Sequence, residues 1–535
     1  MSGTATSAVP PATASSAGVN PWLIAVLVAF AAFMEVLDTT IANVALPYVA
    51  GGLGVSEDEA SWVVTTYLVA NAVSLTASSY LAQRLGRKSF FLICLGLFTA
   101  SSVLCGLAPN LQALLLFRIL QGLAGGGMVP ASQSILADSF PPQKRAQAFA
   151  LFGIAVVVAP VVGPTLGGWI ADNWSWQWCF EINGPVGVVA MALISATLRE
   201  SATAVAQRRQ LTRQENRFDV IGFVLVATFL GALEIALDRG LEDDWFGSSF
   251  IVADTAVCTL AFVLMIPWEL NRRNPAIDIR ILAARQFGAC FLVMLATGAI
   301  LLATTQFVPQ LVQAEYGYTA TWAGLALSPG GLVTAIMMPV AGRLSAKVQP
   351  RTLIAVGGII CALAMFDMTR ITGDLDFRFF VVSRMFLGIG LPLIFIPILT
   401  ASFDGIPGNK TDMASALINM ARNTGGSIGI SLANNVLAHR AQFHQSRLVE
   451  LVNTSTVQFQ TALKQATDYF MAQGGSLAQA QQQAFTWIGQ QVQMQATLLA
   501  YIDVFWTLAL VSAAAVPLAL TLRKVKLGGP TPGAH

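Results

Sequence analysis

The chain has 535 residues, 55% of them hydrophobic and only 11% charged, with a formal net charge of +2. Soluble domains carry roughly 25% charged residues, so this composition excludes an ordinary soluble protein and indicates an integral membrane protein of many spans. No nucleic-acid partner is expected.

The first twenty residues carry no charge and are rich in Ala, Ser, Thr and Pro. They are expected to form a disordered tail, and they lack the basic n-region of a cleaved signal peptide. Apolar runs of about twenty residues, long enough to cross a bilayer as helices, follow at 22–47, 61–82, 89–108, 112–137, 146–171, 177–198, 218–238, 249–268, 287–313, 321–345, 352–370, 378–402, 412–438 and 498–522. The expected architecture is an all-α membrane protein of fourteen spans. Cys94, Cys105, Cys179, Cys258, Cys290 and Cys361 are scattered through these runs without CxxC or metal-ligand spacing, and read as small core residues.

Orientation follows from the basic loop residues. Arg84, Arg87, Lys88, Lys144, Arg145, Arg199, Arg208, Arg209, Arg213, Arg217, Arg272, Arg273, Arg280, Arg285, Arg343, Lys347, Arg351 and Lys410 fall on one side, and the opposite side is basic-poor. The first side is expected to be cytoplasmic, with both termini on it.

The two ends of the chain resemble each other. "RLGRK" (84–88) is echoed by "GRLSAK" (342–347), and Arg118-x-x-Gln121-Gly122 by Arg384-x-x-x-Gly388. The expected organisation is a tail at 1–20, a six-helix bundle at 21–199, linkers with two extra spans at 200–284, a second six-helix bundle at 285–523 and a tail at 524–535. Internal repeats with a site at their interface are the signature of secondary transporters. Within the second bundle, 439–497 is a polar, Gln-rich outer loop. Phe459, Leu463, Ala466 and Phe470, then Ala484, Phe485, Ile488 and Val492, recur at helical spacing around "QGGS". Two short amphipathic helices are expected there, either as a cap on the bundle or as a docking surface.

Charges inside spans are costly and need a reason. Glu35 and Asp38 lie three residues apart in the first span, on nearly one face. A carboxylate facing a cavity of alternating access can carry a proton, and Asp38 is the expected carrier, with Glu35 next. Arg118 cannot lose its charge and is expected beside the titrating acid, with Gln121 on its face. The alternatives are a structural pair and an Arg bonded to backbone carbonyls. Ala159, Gly163 and Gly167 form a small-xxx-small stripe with Pro160, Pro164 and Gly168 alongside, read as a tightly packed gate between halves. Asn419, Arg422, Gly426 and Gly429 share a face in the thirteenth span. Together with Asn43, Gln121, Gln306, Gln310, Phe395 and Met420 they are expected to wall a greasy cavity with few polar anchors, suited to varied apolar ligands.

No P-loop G-x-x-x-x-G-K-[ST] is present, so direct drive by ATP is not expected. None of the three histidines lies in a span and no TVGYG-like filter appears. No metal or cofactor is expected, and no enzyme activity.

"LDTTIANVALP" (37–47) resembles the first-span motif of the fourteen-span drug:proton antiporters of the major facilitator superfamily. Arg118-Ile-Leu-Gln121-Gly122 and "GPTLGG" (163–168) are similar to that family's fourth- and fifth-span motifs, and "YGYTATWAG" and "ARNTGGSIG" to its EmrB-type subgroup. The resemblance implies a proton-driven multidrug exporter in a bacterial inner membrane, with two six-helix bundles and two extra central helices. It also implies an EmrA-like periplasmic adaptor and a TolC-like outer-membrane channel, and therefore docking through Phe459, Leu463 and Phe485. The substrates would be hydrophobic drugs reaching it from among membrane lipids. Arg84 and Arg87 fall in the family's gating motif, but Ser79 and Gln83 stand where it carries Gly and Asp, so the usual acid partner at that gate is missing. The rivals are an importer, an exporter of one metabolite or lipid, and a non-transporting membrane sensor.

Overall fold

The computed structural model describes residues 20–198, 219–272, 275–373, 376–407, 410–452 and 456–524, and every regular element among them is helical. The expected tails at either end, and the basic linker from Arg199 to Arg217, lie outside the described residues or at their margin.

Helix α1 (Pro21–Leu53) is capped by Asn20 and closed by Gly54 at φ 66°, a left-handed turn that favours glycine. Ser56 and Glu59 form a reciprocal capping box on α2 (Glu57–Leu85), which supplies two of the helix's orphan N–H groups with partners. Then come α3 (Arg87–Gly106), α4 (Leu111–Gly125), α5 (Met128–Ser139), α6 (Pro142–Asn173), α7 (Trp178–Glu181) and α8 (Asn183–Thr197). The fourth span is thus broken into α4 and α5 at Gly126 and Gly127. A Cβ on Gly122 or Gly126 would fall 2.4 or 2.3 Å from a backbone oxygen of α2, so α4 reaches α2 only through residues without side chains.

The extra spans are α9 (Val220–Arg239) and α10 (Ser249–Asn271), and a short α11 (Arg280–Ala283) follows. The second bundle comprises α12 (Arg285–Ala314), α13 (Ala320–Ser345), α14 (Pro350–Met368), α15 (Phe377–Ser402), α16 (Thr411–Leu451), α17 (Val457–Ala472) and α18 (Leu477–Leu520). In the first bundle α1 packs on α6, and α2 and α3 on α4; in the second α12 packs on α16, α13 and α14 on α15, and α14 and α16 on α18. The bundles meet along two seams, α6 against α13 and α2 against α16, and the α9–α10 hairpin lies against α2 and α16.

Thirteen helical stretches among the described residues are long and apolar enough to cross a membrane. The remaining expected span, 412–438, lies in α16, which is too polar to qualify on composition. Its place between α12, α18 and α2 is that of a bundle helix whose polar side chains face protein. All six cysteines are free and buried.

The outer loop departs from expectation. Its first residues continue α16 to Leu451, and the second amphipathic stretch is the beginning of the 44-residue α18. Only α17 is a separate short helix. A second capping box, Ser476 with Gln479, starts α18 directly after the Gly474–Gly475 break, so nothing interrupts the helix before the bilayer.

Candidate functional site

We call the end of the bundles bearing Arg87, Arg145 and Arg351 the basic end, and the other the loop end. Two turns into α4, Arg118 points inside the first bundle, where Nη1 meets Asp38 Oδ2 at 2.8 Å with both side chains fully buried. Nε donates to the carbonyl of Val63 (3.0 Å) and Nη1 also to Gln121 Oε1 (2.8 Å). The guanidinium carbon lies 4.3 Å from the centre of the Tyr67 ring, a further attraction for a cation. Asp38 Oδ1 accepts from Gln121 Nε2 (2.9 Å), Asn183 Nδ2 (2.7 Å) and Ser102 Oγ (3.5 Å). Both carboxylate oxygens are engaged, while Arg118 Nη2 is buried without a hydrogen-bond partner, so the desolvation of the pair is offset on the acid's side and only in part on the arginine's.

Glu35, one turn earlier, faces another way. Oε1 accepts from Tyr67 OH and Asn71 Nδ2, each at 3.1 Å, while the buried Oε2 has no partner. Asn71 in turn accepts from Asn423 Nδ2 on α16 (3.3 Å), and Arg422 of that helix is within electrostatic reach of Glu35. Glu35 therefore sits at the seam between bundles, and Asp38 is sealed within one of them.

The seam is tied shut toward the basic end. Gln133 on α5 and Asn419 on α16 exchange amide hydrogen bonds at 3.3 and 2.7 Å, and Ser415 Oγ donates to Gln133 Oε1 at 2.8 Å. Arg87 grips Asp412 with Nε and Nη2 at 2.9 and 3.1 Å, and Nη1 also meets Asp138. The acid missing from the loop motif is thus replaced by two acids distant in sequence. Arg84 stays exposed beside Tyr80.

Gly163 and Gly167 carry α6 onto Thr40 and Ile41 of α1, and Gly168 lies near Val44. Pro164 is half-buried beside them. These contacts are within the first bundle. Asn43, Gln306 and Gln310 are exposed, Met420 and Arg422 half-buried, and Asn419 and Phe395 buried. In this conformation Asn419 belongs to the closed seam and Phe395 to packed core, so the expected cavity set is not gathered on one wall.

Phe459 is buried within the outer loop itself, its ring 6.1 Å from that of Phe485, over the fully buried Ala480 and Ala484. Leu463 is half-buried and Phe485 half-exposed. One expected apolar stripe is therefore satisfied intramolecularly.

Several residues were not anticipated. Asn183 and Ser102 complete the shell of Asp38. On α9, Glu234 accepts from Ser427 Oγ (2.6 Å) and Asp238 from Thr65 Oγ1. Acids in an apolar run were the available signal for both.

The sequence profile described as Major Facilitator Superfamily matches residues 28–430. The multidrug export protein EmrB of Escherichia coli (strain K12) is 37% identical over 490 residues, covering 90% of this chain and 92% of that one. The fatty acid resistance protein FarB of Neisseria gonorrhoeae is 36% identical over 420 residues, 78% and 81% of the two chains. Among solved structures, the proton:xylose symporter XylE with a bound bromodeoxyglucose superposes with a TM-score of 0.58 at 13% identity, over 93% of this chain and 96% of that one, a likeness of fold alone.

Proposed function

The chain belongs to the major facilitator superfamily, in its group of EmrB-type multidrug export proteins, and is a transporter and not an enzyme; from that premise we propose that inward proton flow drives its outward movement of hydrophobic and amphipathic compounds. Fatty acids fall within that range on the likeness to FarB. The proposed setting is the bacterial inner membrane, with the basic end and both termini cytoplasmic. The tied seam then corresponds to a state closed toward the cytoplasm.

The observation that carries the reading is the pair of buried acids one turn apart, each held differently. Asp38 has an arginine and three neutral donors. Glu35 has one unpartnered oxygen and stands where the bundles separate. We assign proton exchange to Glu35 and the framing of its surroundings to Asp38 and Arg118. A proton taken up by Glu35 weakens its attraction to Arg422 across the seam, and so links protonation to the bundles' relative position.

In proteoliposomes with an imposed pH gradient, Glu35→Gln is expected to bind a cationic dye but to move it no faster than empty vesicles. Native-rate pumping by that variant would remove Glu35 from the mechanism. If the native protein moved no dye under the gradient, proton drive itself would fail.

The outer loop favours the further proposal of an EmrA-like adaptor handing cargo to a TolC-like channel. Beyond the packed Phe459 stripe, Val457, Tyr469, Leu477 and Trp487 remain exposed together with Phe485, an apolar set of the kind that marks interaction sites. Gln substitutions at Tyr469, Phe485 and Trp487 are expected to reduce co-purification with the adaptor and cellular resistance, while leaving dye transport in liposomes unchanged. Retained adaptor with failed liposome transport would identify the loop as a cap.

A further inference from the structure

We propose that Arg384 anchors the anionic group of an apolar exported compound, an inference that rests on the transport reading above and narrows its substrates. Arg384 lies two turns into α15, as Arg118 lies two turns into α4. Arg118 has Asp38 on the first helix of its bundle; Arg384 has Thr305 on the first helix of its own, accepting from Nη2 at 3.2 Å. The repeat therefore keeps the buried cation and replaces its acid with a neutral hydroxyl.

Arg384 is 5% exposed, and its Nη1 has no hydrogen-bond partner. No carboxylate lies within ion-pairing distance of it among the described residues. A guanidinium keeps its charge when buried, and an uncompensated charge in a span is expensive and points to function.

The side chain borders a small cavity of about 10 Å³, walled by Val157 and Val161 of α6, Leu301 of α12, Thr334 of α13, and Leu387 and Leu391 of its own helix. That volume holds one water-sized group, so the site is closed in this conformation. Its walls come from both bundles, so a movement that parts α6 from α13 would widen it. Then the unpartnered Nη1 would meet the anion directly and Nη2 would join it by exchanging its bond to the Thr305 hydroxyl: a two-pronged donor for a carboxylate with aliphatic walls for a hydrocarbon chain. A cationic compound gains nothing from Arg384.

The test is equilibrium binding to the full-length protein in detergent, with dodecanoate as the anionic probe and ethidium as the cationic one. Arg384→Gln is expected to weaken dodecanoate at least about tenfold, the scale of one charged hydrogen bond, and to leave ethidium nearly unchanged. Thr305→Asp keeps the arginine but gives it an internal partner; it should match Arg384→Gln in dodecanoate loss, with unfolding at an equal or higher temperature. Native dodecanoate affinity in both variants, or equal losses for both probes, would overturn the assignment, as would a native protein that binds no dodecanoate. Native binding of dodecanoate without gradient-driven transport would leave the anchor standing and remove the proton-drive reading instead.

Discussion

Asp38→Asn is expected to abolish transport and to destabilise the first bundle by about 3–5 kcal/mol, the scale for breaking a buried ion pair. The carboxylate is an acceptor at both oxygens. Arg118 occupies Oδ2, and Gln121 and Asn183 donate to Oδ1. An asparagine amide is isosteric, but whichever way it turns, its NH₂ group meets a donor. Arg118 is left fully buried without an anion, held by Val63, Gln121 and the Tyr67 ring. A thermal unfolding curve in detergent decides the matter. A variant that unfolds at the native temperature would mean that the pair contributes no net stability, and a variant that also pumped natively would remove Asp38 from function altogether.

Arg87→Gln is expected to release the basic end. The guanidinium holds α5 and α16, one from each bundle, through Asp138 and Asp412. Arg87 is partly exposed while Asp412 is nearly buried, so part of the Coulomb attraction is screened. The loss of its two-pronged grip is then worth about 1–3 kcal/mol. Each 1.4 kcal/mol moves a two-state equilibrium about tenfold, so the population should swing toward open basic ends. Spin labels on α5 and α16 would report this as a longer distance, and transport should slow because the closed state is scarce. Arg87→Lys restores the charge without the planar fork and should recover only part of the effect. An unchanged distance distribution in Arg87→Gln would show that the amide contacts of Gln133 and Asn419 suffice to close the seam.

The spans were legible because a bilayer demands long apolar runs, and that demand is local. What crosses between helices was less so. Asp38 and Arg118 were expected to meet because two charges in one apolar bundle have few other partners. Asn183 and Ser102 gave no such signal, since a lone polar residue in a span has many uses. The partners of Arg87 were hidden for another reason: Asp412 is 325 positions away, and only the closed seam brings it near. Spacing alone placed Glu35 and Asp38 on one face; the structure gives them different neighbours, Tyr67 and Asn71 for the first and Arg118, Gln121 and Asn183 for the second. The outer loop misled because amphipathic periodicity marks a helix but not where it stops. Between Phe485 and Leu498 there is no proline and only the isolated Gly489, which a helix tolerates, so the stretch runs on into the last span.

That continuity makes the last span a lever arm. In α18 the polar residues 477–497 precede the apolar run, and at 1.5 Å per residue they extend about 30 Å from it. A rigid rod of that length turns a tilt of about ten degrees at its root into a sweep of roughly 5 Å at its tip. Helix α17 packs along this arm, with Phe459 meeting Phe485, and so stiffens its outer part. Each swing of the second bundle is thereby broadcast mechanically beyond the bilayer. Anything gripping the tip would feel the transport cycle as a stroke, timed to cargo release without any contact to the cargo.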